Sequence, residues 1–347
     1  MTKDSQDNQD NQENEELEVR PFGLDYDFDP TPQNLKELYD SGFKGVKENP
    51  THYARYRGQV DRFYDAFPEA KGAGIGIISS PFKAALVLDP GFGSTESQTS
   101  NDCVSMSTRN AGMIDYCVDA LFGETEFKGR LCTENLYGAR GDAYDRGANC
   151  SELAEYVSQQ GDGGFLYRGI YKSPDGKSTV DLSKYKASIG VNWGRSGPPK
   201  WINDIASQNK ALRVFSIKSV EEARDALAAG FGISLCSDYG FSSERNSDGV
   251  SESRGSWNHG MAWVGVDDSS EMSSKYGGPL FLIQNSWGIF NDGPKRNEQP
   301  DGSFYIRPKI AKGMIAAGGA WCLASVRGYN RELVYDTINK IRELSND

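Results

Sequence analysis

The sequence predicts an α+β fold built as two lobes, and three observations carry that expectation. Helical periodicity dominates the first part of the chain and short apolar strand-like segments dominate the later part. With 347 residues, at about 150 per domain, there is room for two packed units with added arms. Apolar residues make up 37% and charged residues 25%, enough for a core with polar ends.

In chain order, residues 1–22 are Asp, Glu, Asn and Gln with almost nothing to bury, so they are expected to be a disordered acidic arm. Residues 23–83 form an N-terminal extension with helical segments from Pro32 to Gly42 and from Pro50 to Phe67. In the second, Tyr53, Tyr56, Val60, Phe63 and Phe67 recur at three- and four-residue steps, which is either part of the ordinary core or an accessory arm covering the rest. Residues 72–98 read as short extended pieces broken by Gly and Pro. A helix starts at Cys103, behind the capping residues Asn101 and Asp102, with Met106, Met113, Ile114, Cys117, Val118 and Leu121 on one stripe. Ser151 to Gln160 and Val220 to Ala229 are further helices, each followed by glycine. The strands are Gly232 to Ser237, Met261 to Asp267, Leu280 to Asn285, Ser303 to Arg307 and Trp321 to Val326. Val334, Ile338, Ile341 and Leu344 give a closing helix over residues 331–344.

Net charge and composition exclude several function classes. At −11 the chain lacks the basic footprint of a nucleic-acid binder. Its longest apolar runs, Gly74 to Ile78 and Ala84 to Leu88, fall far short of a membrane span. The first 19 residues lack the basic start and apolar block of a secretory signal, which makes a cytoplasmic location, or one within an assembly, the expectation. Six cysteines without a C-x-x-C pair, and two histidines, His52 and His259, make structural zinc improbable and reduced thiols the default.

Two places could do chemistry. A thiol in the first turn of a helix has its thiolate stabilised by the helix dipole, so Cys103 is a nucleophile candidate. Its alternative is a small buried residue, a role that fits Cys117 better. His259 enters one strand and Asn285 leaves the next. If the two strands pair antiparallel around a loop of about a dozen residues, the Asn can fix the imidazole tautomer while Trp287 covers the bond from water.

These residues resemble a known family. NHGMAWVGVD and LIQNSWG look like the His and Asn boxes of the papain-like cysteine peptidases, and CVSMST looks like their helix-opening nucleophile box. His259 and Asn285 follow Cys103 at 156 and 182 residues (259 − 103 and 285 − 103), somewhat beyond the roughly 130–150 usual there. The Asp268 to Pro279 loop accounts for part of the excess.

The resemblance implies a papain-like domain over residues 84–347. Its helical left lobe covers about 90–215, and its antiparallel, β-barrel-like right lobe about 216–328. It implies Cys103 as nucleophile paired with His259, Asn285 as orienter, and Gln98 with the Cys103 amide as oxyanion hole. Gln98 stands five residues upstream where six is usual. Gly147 would pair with extended substrate, although Arg146 replaces a second glycine. Asn149, Cys236, Trp257 and Gly260 would line the pocket for the second side chain upstream of the cut, favouring small or medium apolar groups. Val104 replaces the usual aromatic residue after the nucleophile, and the family's disulfide cysteines are mostly absent. No cofactor or metal is implied, and the partner is a protein or peptide substrate; oligomeric state is not legible. The rival readings are a papain-like scaffold kept as a binding or structural module, and an amidase or transferase using the same Cys–His pair. In the family an N-terminal helical segment often inhibits as a pro-region, but the aromatic stripe here lacks a convincing match to that pattern, which favours permanent packing.

Overall fold

The computed structural model describes residues 55–93, 96–122, 125–317 and 319–326. The acidic arm, the segment from Pro32 to Gly42, the first residues of the segment from Pro50, and the closing 331–344 helix lie outside them. The aromatic stripe does not form one helix. One helical turn at residues 55–57 gives way to a break, and α1 follows at Phe63–Ala66. The break has a cause: Arg62 is extended, bridges Ser216 in parallel and pairs its guanidinium with the buried Glu222 at 2.9 Å. The aromatic residues still go inward. Tyr56 packs on Trp321 at 5.1 Å, and Phe63 and Phe67 pack among Phe215 and Phe231 at 5.2–6.1 Å.

Strand β1 (Ile78–Ser79) leads into α2 (Phe82–Leu88), so the expectation of extended pieces over 72–98 is corrected here. Pro81 sits at the N-cap, where its missing N–H costs nothing, and Phe82, Ala84 and Ala85 are buried. Helix α3 (Cys103–Leu121) starts where the sequence indicates and lies buried against the sheet. Then come α4 (Glu134–Gly138), α5 (Cys150–Val157), the hairpin β2 (Ile170–Lys172) and β3 (Thr179–Asp181), α6 (Ala187–Trp193) and α7 (Lys200–Ala206). A buried ionic network ties this part together. Arg168 and Arg109 bind Glu96, Arg168 binds Glu134 at 2.7 Å, and Arg130 grips Asp89 through two bonds of 2.6 and 2.7 Å.

Strand β4 (Ala211–Ser216) opens the sheet region and α8 (Val220–Ala228) follows, capped by the Ser219 hydroxyl. Strands β5 (Gly232–Arg245) and β6 (Ser251–Asp267) form a long hairpin, both longer than the apolar runs alone suggest. The supposed loop from Asp268 is also corrected: α9 (Ser270–Tyr276) occupies it, ended by Gly277 at φ 77°. Strands β7 (Leu280–Gln284) and β8 (Ser303–Ile306), helix α10 (Pro308–Ala317) and β9 (Ala320–Val326) complete the described chain.

All seven strands of the main sheet pair antiparallel, in the order β4-β9-β5-β6-β7-β8, with β1 on β6. The sheet rolls rather than closes: Tyr305 on β8 donates its N–H back to Gly249, just ahead of β6, at 2.9 Å. Helix α3 can lie this close to the sheet only because Gly232 has no side chain. A Cβ there would stand 2.5 Å from the Ala111 carbonyl oxygen.

The reduced-thiol expectation fails for one pair. Cys150 at the start of α5 and Cys236 on β5 form a disulfide, with their Cα atoms 6.2 Å apart, while Cys103, Cys117, Cys132 and Cys322 are buried and not disulfide-bonded. Spacing could not reveal this, since the two residues are 86 apart and meet only through the fold.

Candidate active site

Cys103 is the first residue of α3, and the helix points its N-terminal end at β6. The Gly260 N–H donates to the Cys103 sulfur at 3.4 Å. This close approach needs glycine, because a Cβ at Gly260 would stand 3.0 Å from the Val104 Cα. His259, one residue earlier, is therefore delivered to the Cys103 end of the helix. Asn258 before it adopts φ 49°, a left-handed conformation that Asn tolerates better than most residues.

Strands β6 and β7 pair with Ala262 opposite Gln284, which brings the residues beyond this pair together as the hairpin argument requires. His259 Nε2 and Asn285 Oδ1 are 2.9 Å apart. The Asn285 amide orientation is independently fixed, since the Ser286 N–H donates to the same Oδ1 at 2.7 Å. An oxygen there accepts only, so Nε2 carries the proton and the imidazole's lone pair is on Nδ1. Trp287 stacks on the His259 ring at 4.5 Å and Trp257 meets it edge-on at 6.0 Å, both fully buried. Trp257 thus supports the imidazole from within the core.

Gln98 is joined to the same cluster. Its N–H donates to the Ser286 carbonyl at 2.8 Å, its Oε1 accepts from the Ser286 hydroxyl, and its Nε2 donates to the Ser100 carbonyl at 2.9 Å. Ser286 couples the Gln98 and Asn285 side chains, a role that the sequence signals only by its place between Asn285 and Trp287.

Burial is the largest influence on the protonation of both Cys103 and His259. It pushes the Cys103 thiol up to about 12, with the Asp102 carboxylate adding to the rise against the Gly260 N–H. It pulls His259 down to about 4, against the Asn285 hydrogen bond. Both shifts favour the uncharged thiol and the uncharged imidazole. Asp102 is in the N-cap position but does not cap: its carboxylate accepts from the Tyr185 hydroxyl at 2.8 Å. Burial raises it to about 7, Tyr185 opposes the rise, and the charges of Asp145 and Glu134 add to it. Asn101 likewise turns away from the helix, bonding Asp145 through its backbone and side chain at 3.0 and 2.8 Å.

Gly147, Asn149 and Cys236 are tied into the fold by their own partners. The Gly147 N–H donates to the Tyr137 hydroxyl at 3.2 Å, and the Arg146 guanidinium stacks over Tyr144. Asn149 caps α5, its Oδ1 accepting from the Ser151 and Glu152 N–H groups at 2.9 and 3.1 Å. Cys236 is bonded to Cys150. Among the described residues, no group of three or more His, Cys, Asp and Glu side chains is placed to hold a metal ion, and no helix is long and apolar enough to cross a membrane.

No family model matches the sequence, and no curated protein does. Among solved structures the chain resembles xylellain, a cysteine protease from Xylella fastidiosa, with a TM-score of 0.52 and 14% identity over 82% of this chain and 97% of that one. Digestive procathepsin L2 proteinase from the Tenebrio molitor larval midgut aligns with a TM-score of 0.41 and 13% identity, over 84% of this chain and 90% of that one. For proCathepsin B S9 from Trypanosoma congolense the TM-score is 0.38 and the identity 11%, over 82% of this chain and 83% of that one. The first likeness shows the fold, the papain-like arrangement of helices against an antiparallel sheet.

Proposed function

We propose that this chain is a cysteine peptidase that hydrolyses peptide bonds through Cys103, His259 and Asn285. The observation that carries the reading is the His259–Asn285 hydrogen bond of 2.9 Å, next to a thiol that opens a helix and receives the Gly260 N–H. Cys103 gives its proton to the lone pair on His259 Nδ1 and attacks the peptide carbonyl. The imidazolium then protonates the leaving amine, and water releases the acyl group. Asn285 keeps the ring in the tautomer this sequence needs. The second proton on Gln98 Nε2 and the Cys103 N–H are the donors for the oxyanion.

One observation favours a second reading, a papain-like scaffold that binds without cutting: Cys103 and His259 are wholly buried. Alkylation of Cys103 by iodoacetamide at neutral pH, and a peptide-library digest with a separate unalkylated sample, together separate the two. A peptidase gives a modified Cys103 and cut peptides that disappear in Cys103→Ala; a scaffold gives neither.

A further inference from the structure

The two donors assigned to the oxyanion stand at the ends of one short loop, which Gln98 opens and Cys103 ends. The four residues between them, Thr99 to Asp102, belong to no helix or strand, so their position depends on what they bond. One end is held by Ser286, which bonds the Gln98 backbone and side chain. The rest is held by side chains from farther along the chain. The Tyr185 hydroxyl accepts from the Thr99 N–H at 3.2 Å and donates to the Asp102 carboxylate at 2.8 Å. A phenol has one proton to give, and here Asp102 takes it while a lone pair receives Thr99. A single oxygen therefore joins the residue after Gln98 to the residue before Cys103.

The same loop sets the aim of the Gln98 amide. One proton of Gln98 Nε2 goes to the Ser100 carbonyl at 2.9 Å. Ser100 lies between Thr99, which bonds Tyr185, and Asn101, whose N–H and side chain bond Asp145 at 3.0 and 2.8 Å. Gln98, Ser100, Asn101 and Asp102 are all buried, so a bond lost there is not simply exchanged for one to bulk water. Tyr185 is itself anchored. It lies between β3 and α6, and the next residue, Lys186, donates its N–H at 2.8 Å to Glu134, the carboxylate that Arg168 holds at 2.7 Å. The bond to Tyr185 also turns Asp102 away from the first-turn N–H groups of α3 that an aspartate in the N-cap position would take.

We propose that Tyr185 is a positioning residue for the hydrolysis, its hydroxyl fixing the separation and aim of the Gln98 and Cys103 donors through the loop between them. The proposal rests on the reading of this site as a peptidase. Removing the hydroxyl leaves both donors present but frees the loop that spaces them. The loss therefore falls on the charged intermediate that the donors face, and substrate binding is spared.

The test is Tyr185→Phe in the full chain, which keeps the ring and removes only the hydroxyl. Its kcat on a fluorogenic peptide is expected to fall about 10- to 100-fold, with KM within about twofold of wild type. In a Gln98→Ala background the same substitution should cost no more than about threefold, since the donor it aims is already gone. Hydrogen exchange over residues 98–103, read by mass spectrometry, should quicken, because the Thr99 N–H loses its acceptor. Asp102→Ala takes away the acceptor of the same hydroxyl and should lower kcat in the same direction, which keeps the test open if Tyr185→Phe does not fold. Unchanged exchange in folded Tyr185→Phe overturns the proposal, as does a loss carried by KM alone or one that stays full in the Gln98→Ala background. Cleavage by wild type and Tyr185→Phe at equal rates removes the proposal alone; a wild type that cuts no peptide removes the peptidase reading and the proposal with it.

Discussion

Asn285 Oδ1 receives two donors, the His259 ring and the Ser286 N–H, so its loss frees the imidazole to rotate without removing a reacting group. Asn285→Ala should therefore lower turnover less than Cys103→Ala or His259→Ala. Each of the latter should remove nearly all activity, and the double variant should be no worse than either, because nucleophile and base act as one unit. Steady-state rates on one fluorogenic peptide check this, and a double variant far below both singles would break the assignment. Asp102 offers a test by pH. Its carboxyl is raised from 3.8 to about 7, so the folded protein holds a proton there that the unfolded chain has lost. The stability it contributes is full below about pH 4 and is lost as pH rises through 7. Asp102→Asn should gain melting temperature relative to wild type at pH 8 compared with pH 4; a constant difference would contradict the assignment.

At the scale of elements, α3 starting at Cys103, the β6–β7 hairpin and the Asn285 exit were legible because each rests on local periodicity or a short motif. What was not legible depends on contacts distant in sequence. The break in the aromatic stripe follows from Arg62 pairing with Ser216 and Glu222, and α2 follows from burial of Phe82, Ala84 and Ala85 in a stretch rich in Gly and Pro. The stripe's packing is measurable: Phe63→Ala should cost about 3–5 kcal/mol, read from denaturant unfolding. A loss below 1 kcal/mol would mean that these aromatics are not part of the core. The ionic network gives a second check. Burial alone would raise Glu96, but Arg109, Arg168 and Arg130 outweigh it and hold it at about 2 against the usual 4.5. Its contribution is present above pH 4.5 and lost as pH falls through 2, so the deficit of Glu96→Gln, about 3 kcal/mol at pH 7, should shrink over that window.

For the whole molecule, the α+β plan was readable from the change of period along the chain, and the places of Cys103 at a helix start and of His259 beside Asn285 from capping residues and hairpin geometry. The surroundings of these residues were not readable, because the burial of Cys103 and His259 and the bridge beside them arise from contacts distant in sequence. The central claim is that this set hydrolyses peptides. It is tested most directly by incubating dithiol-treated wild type and Cys103→Ala with the same peptide library and reading new N termini by mass spectrometry. The account predicts new termini with wild type and none with Cys103→Ala; no cleavage by wild type, or equal cleavage by both, would contradict it.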